Sequence, residues 1–181
     1  IQNKIAKRIC GNGGGWVFSH KDFIDLGSIE AIDVSLHRLE QAGKIRRVIR
    51  GLYDYPRYSK LLKCNLSPDI FRVAEAIGRK FKWRIQPTGV AALNRLNLST
   101  QVPGRIVFLS DGPSREYDIM GMKLEFKKTS LKDSSLQYLN SELLVQAIKA
   151  LGRERIDHDI SEKIREYFNQ AERAKILRDT Q

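Results

Sequence analysis

Five cations, Lys44, Arg46, Arg47, Arg50 and Arg57, crowd into one short stretch in which Asp54 is the only acid. Spacing this dense suits a polyanion, because each phosphate neutralised by Lys or Arg releases condensed counterions. A basic edge strand that resists aggregation would carry the same composition. A second set lies just upstream: Ser28, Asp33, His37 and Arg38. Arg can pair bidentately with guanine and Asp can accept from cytosine. A serine at a helix N-terminus can grip a phosphate. Asp33 also repels phosphates, so it would serve specificity rather than affinity.

The elements that must position these groups follow from periodicity. Ile29, Ile32, Leu36 and Leu39 recur at i, i+3, i+7 and i+10, the buried stripe of a helix from Ile29 to Ala42. Ser28 caps this helix and Gly43 ends it, leaving Glu30, Asp33, His37, Arg38 and Gln41 on exposed faces. From Lys44 to Tyr55, β-branched and aromatic residues flank Arg50-Gly51, which predicts two strands and a tight turn, with Pro56 interrupting the second. Further upstream, Ile1, Ile5 and Ile9 with Ala6 mark one face of a first helix, stopped by the glycines from Gly11 to Gly15. Trp16-Val17-Phe18 is a short apolar strand. Ser19 with Asp22 approximates a capping box for a short helix to Leu26. This order of parts predicts a winged helix-turn-helix over residues 1–58. Its third helix is suited to a major groove and its hairpin to the flanking phosphates.

Tyr58 to Pro68 reads as a polar connector, and the domain boundary is placed there. A second domain, 66–181, reads as mixed α+β, giving an α+β protein of two parts. Ser67-Pro68-Asp69 starts a helix with Ile70, Val73, Ala74 and Ile77 on its apolar stripe. A short strand is expected at Trp83 to Gln86 and a helix from Pro87-Thr88-Gly89 to Leu96. Arg105 to Ser110 is a strand, and Glu116 to Ile119 pairs with Lys123 to Lys127. Helices follow at Ser141 to Leu151 and Ser161 to Leu177. The segment Arg79-Lys80-Phe81-Lys82-Trp83-Arg84 interleaves cations with aromatics. That composition suits a nucleic-acid backbone or exposed bases, and it also suits a helix C-terminus with Phe81 and Trp83 in the core.

Composition narrows the partner. The 181 residues carry a formal charge of +11 at pH 7, a field that attracts polyanions and speeds their association. Residues 1–58 hold 10 basic and 6 acidic side chains, residues 59–128 hold 13 and 6, and residues 129–181 hold 9 and 9. The cationic excess therefore lies in the first two thirds, and the last third is better suited to packing or to protein. Cys10 and Cys64 stand far apart, which suggests neither a disulfide framework nor a zinc ribbon and fits a reducing, cytoplasmic setting. No run approaches the length of a membrane span, and no leader peptide is read.

Enzymatic signals are weak. Gly11 to Gly15 lacks the Gly-Lys-Ser/Thr ending of a phosphate-binding loop. Asp157-His158-Asp159 reads as capping groups at a helix boundary rather than a metal site. Asp111, Glu116 and Asp118 read as a solvated turn rather than paired catalytic carboxylates. No catalytic residue, metal or cofactor is expected.

The strings Gly15-Trp16-Val17-Phe18, Asp22-Phe23, Leu26-Gly27-Ser28, Leu36 to Leu39, Gly43-Lys44-Ile45-Arg46-Arg47 and Arg50-Gly51-Leu52-Tyr53-Asp54-Tyr55-Pro56 resemble the AbiEi-type antitoxin family. In the second domain the similarity continues through Ile85-Gln86-Pro87-Thr88-Gly89, Leu98-Ser99-Thr100-Gln101-Val102-Pro103 and Leu109-Ser110-Asp111-Gly112-Pro113-Ser114-Arg115. It covers roughly residues 4–155. The resemblance implies a transcriptional repressor of a type IV toxin–antitoxin or abortive-infection system that binds its own promoter, often at inverted repeats. It also implies a C-terminal domain that opposes a nucleotidyltransferase-like toxin without forming a stable complex with it. Carried onto this chain, the DNA contacts fall on Ser28, His37, Arg38, Arg46, Arg47 and Arg50, and the hairpin adds Lys44. The chain departs from the toxin itself, since no Gly-Ser is followed at a suitable distance by Asp-x-Asp. The expected partner is thus double-stranded promoter DNA, bound by a homodimer if the operator is an inverted repeat. A stand-alone winged-helix regulator is the nearest alternative. An RNA-binding or protein-interaction adaptor without antitoxin activity is the other.

Overall fold

A computed structural model describes residues 1–101, 103–130, 136 and 138–180. The chain is α+β and divides into two compact units, Ile1–Trp83 with Asp118–Gly121, and Arg84–Tyr117 with Met122–Gln181. The expectations at Val102 and over residues 131–135 and 137 lie outside the described residues.

The first unit begins with α1 (Gln2–Asn12), β1 (Val17–Phe18) and a tight 3₁₀ segment, His20–Leu26. It continues through α2 (Ile29–Gln41), β2 (Arg46–Ile49), β3 (Leu52–Asp54), β4 (Tyr58–Ser59), β5 (Cys64–Asn65) and α3 (Ile70–Phe81). The strands β1, β3 and β2 form an antiparallel sheet in that order, with Val17 opposite Asp54 on one side and Arg47 opposite Tyr53 on the other. Helix and sheet close on one core of Ile5, Ile9, Phe18, Phe23, Leu36 and Ile45, with Ile32 and Leu39 of α2 also buried. Each such side chain stabilises the fold by about 1.5–3 kcal/mol relative to exposure. Phe18 and Phe23 meet edge to face at 5.5 Å, the arrangement their ring quadrupoles favour.

Local chemistry sets the ends of these elements. The Ser19 and Asp22 capping box forms as expected: the Ser19 N–H donates to Asp22 Oδ2 at 2.8 Å, and the segment it opens is 3₁₀ rather than α. Ile1, expected on the buried stripe of α1, instead caps that helix and is half exposed. Ile29, expected on the stripe of α2, is also half exposed because it occupies the first turn.

The polar connector expected at Tyr58 to Pro68 contains the small hairpin β4–β5, with Tyr58 opposite Asn65. The first compact unit runs through Trp83, beyond the connector from Tyr58 to Pro68 where the boundary is expected. The cause is α3, which packs against β1 and is tied down by its last turn. Arg79 Nη2 donates to the Val17 carbonyl at 2.7 Å and Nε to Asp22 Oδ1 at 3.2 Å.

The second unit holds β6 (Ile85–Pro87), α4 (Gly89–Arg95), β7 (Arg105–Ser110), β8 (Arg115–Ile119), β9 (Met122–Lys128), α5 (Leu139–Leu151), α6 (His158–Tyr167) and α7 (Gln170–Asp179). Its sheet runs β6-β7-β9-β8, with β6 antiparallel and β9 parallel to β7. Alternate residues Ile106, Phe108 and Ser110 of β7 are buried beside Leu124 and Phe126 of β9, the period-two pattern of a strand with one covered face. Thr88 caps α4 and also donates to the Val107 carbonyl at 3.1 Å, fixing that helix to the sheet.

The single helix expected from Ser161 to Leu177 is two helices. Phe168 leaves the helical conformation and is buried, while Asn169 caps α7 in a box with Glu172. Among the described residues, no helix is long and apolar enough to cross a membrane.

Candidate nucleic-acid interface

The cations read from the sequence divide into those free for a ligand and those used by the fold. Arg46 is used by the fold. Its Nε and Nη2 donate to both oxygens of Asp54, and Nη2 also donates to the Leu66 carbonyl at 2.9 Å. Asp54 is almost fully buried, so this pair holds the sheet and leaves Arg46 little freedom to meet a phosphate.

Arg47 and Arg50 are exposed. Arg47 lies on β2 opposite Tyr53, and its charge opposes the larger effect of burial, which raises the Tyr53 phenol above its ordinary value. Arg50 occupies the β2–β3 turn, where the next residue, Gly51, adopts φ +71°. That left-handed conformation costs glycine little and other residues more. Lys44 is exposed in the turn that leaves α2, with its backbone N–H donating to Leu39. Arg57 is exposed just beyond β3.

On α2, the exposed face carries Glu30, Asp33, Val34, His37, Arg38 and Gln41. Arg38 forms no ion pair among the described residues. His37 Nδ1 stands 3.8 Å from Glu40 Oε2, and Asp33 Oδ1 is 3.2 Å from His20 Nδ1. Ser28 is committed to the helix as its N-cap, accepting from the Ala31 N–H at 3.4 Å. Backbone N–H donation within Glu30, and then the Ser28 hydroxyl, hold the Glu30 carboxyl below its usual range. The N-terminal turn of α2 is therefore acidic and its cation, Arg38, sits two turns on.

The structure brings together on the first unit a helix face with Arg38 and a hairpin with Arg47 and Arg50. The sequence matches, over residues 4–176, the family described as "Family of unknown function (DUF6088)". The chain belongs to that family. A search of curated proteins returns no match.

In this DUF6088 chain, two cations not singled out individually in the sequence join the hairpin. Lys80, in the last turn of α3, donates to the Arg50 carbonyl at 3.1 Å. Lys21, in the 3₁₀ segment, donates to the Lys80 carbonyl at 2.7 Å. Burial first, then the charges of Lys21 and Arg50, lower the Lys80 ammonium below its ordinary value, with Asp33 acting the other way. The basic string 79–84 signalled Lys80 in composition, but only the fold sets it against Arg50.

The acidic candidates are occupied by local structure. Asp157 caps α6 by accepting from Ile160, and Asp159 pairs with Lys163 at 2.6 Å. Asp111 accepts from the Arg84 N–H, Asp118 from the Gly121 N–H, and Glu116 pairs with Lys123 at 3.1 Å.

Proposed function

We propose that the first unit is a winged helix-turn-helix that binds duplex DNA, with α2 as the recognition helix and β2–β3 as the wing. The observation that carries this reading is the chain order of its parts: helix, strand, 3₁₀ turn, amphipathic helix and basic hairpin around one core. In such an arrangement the second helix of the motif enters the major groove and the hairpin tracks a neighbouring phosphate strand. Arg38 and His37 are the base-reading candidates, while Lys44, Arg47 and Arg50 serve phosphates. Val34 is half exposed beside them and suits a thymine methyl group. Arg46 acts through the wing by holding Asp54, and Ser28 acts by capping the recognition helix.

We further propose that the protein is a transcriptional repressor acting as the antitoxin of an AbiEi-type system. Similarity in the second-unit strings, from Ile85-Gln86-Pro87-Thr88-Gly89 to Leu109-Ser110-Asp111-Gly112-Pro113-Ser114-Arg115, supports this reading.

The test is a titration of the full chain against the duplex lying immediately upstream of its own reading frame. Wild type should prefer this duplex to a scrambled one at physiological salt. The double variant Arg38→Ala and Arg47→Ala should weaken binding, relax the preference for the upstream duplex through the loss of Arg38, and reduce the slope of log K against log salt by about one through the loss of Arg47. Unchanged affinity and slope in that variant would sink the DNA reading. Co-expression with a neighbouring nucleotidyltransferase-like gene tests the antitoxin half: growth restored by the wild-type chain supports it, and growth arrest despite the chain refutes it.

A further inference from the structure

We propose that Lys21, Arg50 and Lys80 form a clamp for one backbone phosphodiester of duplex DNA, beside the β2–β3 turn. The proposal rests on the DNA-binding reading of the first unit but names a site that the hairpin alone does not make. Three separate elements supply it: the 3₁₀ segment, the hairpin turn and the last turn of α3.

Each lysine donates one hydrogen bond to a backbone carbonyl, Lys80 to Arg50 and Lys21 to Lys80. An ammonium has three donors, so both keep N–H groups for a ligand. The cations are not neutralised from within. Among the described residues, none of the three forms an ion pair with a carboxylate. Asp22 is engaged by Ser19 and Arg79, while Asp33, bonded to His20, offsets part of the Lys80 charge without pairing with it. Like charges held this close cost stability unless an anion joins them.

A lysine that merely tied the hairpin to α3 would need only the Arg50 carbonyl. Lys21 satisfies one of the free carbonyls at the end of α3, and in doing so brings a second ammonium to the turn where the Arg50 charge already acts on Lys80. Gly51 lies against the end of the Lys80 side chain, where a Cβ would fall 2.7 Å from Nζ and push the flexible ammonium aside. Lys21 and Arg50 are exposed, so the site is a surface ledge rather than an enclosure. A ledge suits a phosphate presented on a polymer, whereas a free anion is better held by a closed nest of donors. The position also agrees with a wing, whose turn runs alongside the phosphate strand that flanks the recognition helix.

The experiment measures affinity of the full chain for the upstream duplex between about 50 and 200 mM salt. Lys80→Gln and Lys21→Gln should each lower affinity several-fold and reduce the slope of log K against log salt by about one. Lys163→Gln on α6 should change neither. If Lys80→Gln fails to give a wild-type circular dichroism spectrum, Lys21→Gln on the exposed side carries the same test. Salt-dependent binding by wild type with slopes unchanged in these variants overturns the clamp and leaves the DNA reading standing. No salt-dependent binding by wild type overturns both. Inorganic phosphate, titrated against the isotope-labelled chain, should move the Lys21, Arg50 and Lys80 resonances only weakly. Saturation at micromolar phosphate would overturn the proposal in favour of a free-anion site.

Discussion

Arg46 and Asp54 stand directly opposite each other across β2 and β3, joined by two hydrogen bonds of 3.0 and 2.6 Å. Asp54 is 1% exposed and Arg46 23%, so the carboxylate depends on this guanidinium for most of its lost hydration. A buried pair of this kind is costly to break from one side, because an uncompensated charge remains. Arg46→Ala should therefore destabilise the chain by about 3–5 kcal/mol, read as a fall in urea midpoint. Replacing both partners, Arg46→Met with Asp54→Leu, should cost much less than Arg46→Ala alone. A single variant that loses under about 1 kcal/mol would show that water reaches Asp54 and that the pair is not structural.

A second prediction concerns Gly89, the first residue of α4. A Cβ built there falls 2.6 Å from Ala150 Cβ and 3.4 Å from the Gln146 carbonyl on α5. Alanine ordinarily stabilises a helix relative to glycine by about 1 kcal/mol. Here the two helices would have to separate, and overpacking costs about 1–3 kcal/mol, so Gly89→Ala should lower the thermal midpoint. Adding Ala150→Gly should recover part of the loss despite its own helix penalty. Gly89→Ala that raises the midpoint would mean α4 and α5 are not held this close.

The helix of Ile32, Leu36 and Leu39, the Ser19 cap and the β7 alternation all follow local periods or short-range bonds, so their sequence signals were legible. The fate of Arg46 was not. Continuing regularly from Ile49 opposite Leu52, a hairpin would set Arg47 against Asp54. The register shift between Arg47 and Ile49 instead sets Arg46 there and leaves Arg47 free. One extra residue exchanges a structural cation for an exposed one, and no periodicity reports it. Lys80 is hidden differently. Its place against Arg50 depends on α3 folding back over 30 residues, which the polar connector between them did not signal.

The break between α6 and α7 gives a third prediction. An unbroken apolar face through Ile164, Phe168 and Ala171 suggests one helix, but the Asn169 side chain accepts from the Glu172 N–H at 2.9 Å and Glu172 returns a bond to the Asn169 N–H. Asn169→Ala should cost about 1 kcal/mol by removing the cap. Phe168→Ala should cost about 3–5 kcal/mol, because its ring is 1% exposed. Urea unfolding followed by circular dichroism separates the two. Equal losses would place the determinant of the break in the chain's turn rather than in the burial of Phe168.

Tyr53 supplies a pH dependence with a definite sign. Its ring stacks on Phe18 at 6.3 Å, and burial raises the phenol; the Arg47 charge works against that shift, while Glu40 and Asp33 add to it. In the unfolded chain the phenol titrates near pH 10. The folded chain keeps this proton to higher pH, so between the two values it binds more protons than the unfolded chain does. Stability from Tyr53 is thus fully present below about pH 10 and is lost as pH rises through the folded value. Lys80 acts in the opposite sense below about pH 10.5, since its folded value is lowered, so the comparison must be against Tyr53→Phe. That variant should lose less stability than wild type as urea midpoints are followed upward from about pH 9.5. Arg47→Ala should move the phenolate absorbance of Tyr53 to still higher pH, because the opposing cation is gone. A wild-type alkaline limb that Tyr53→Phe leaves unchanged would mean the phenol titrates in the folded hairpin as it does in the unfolded chain.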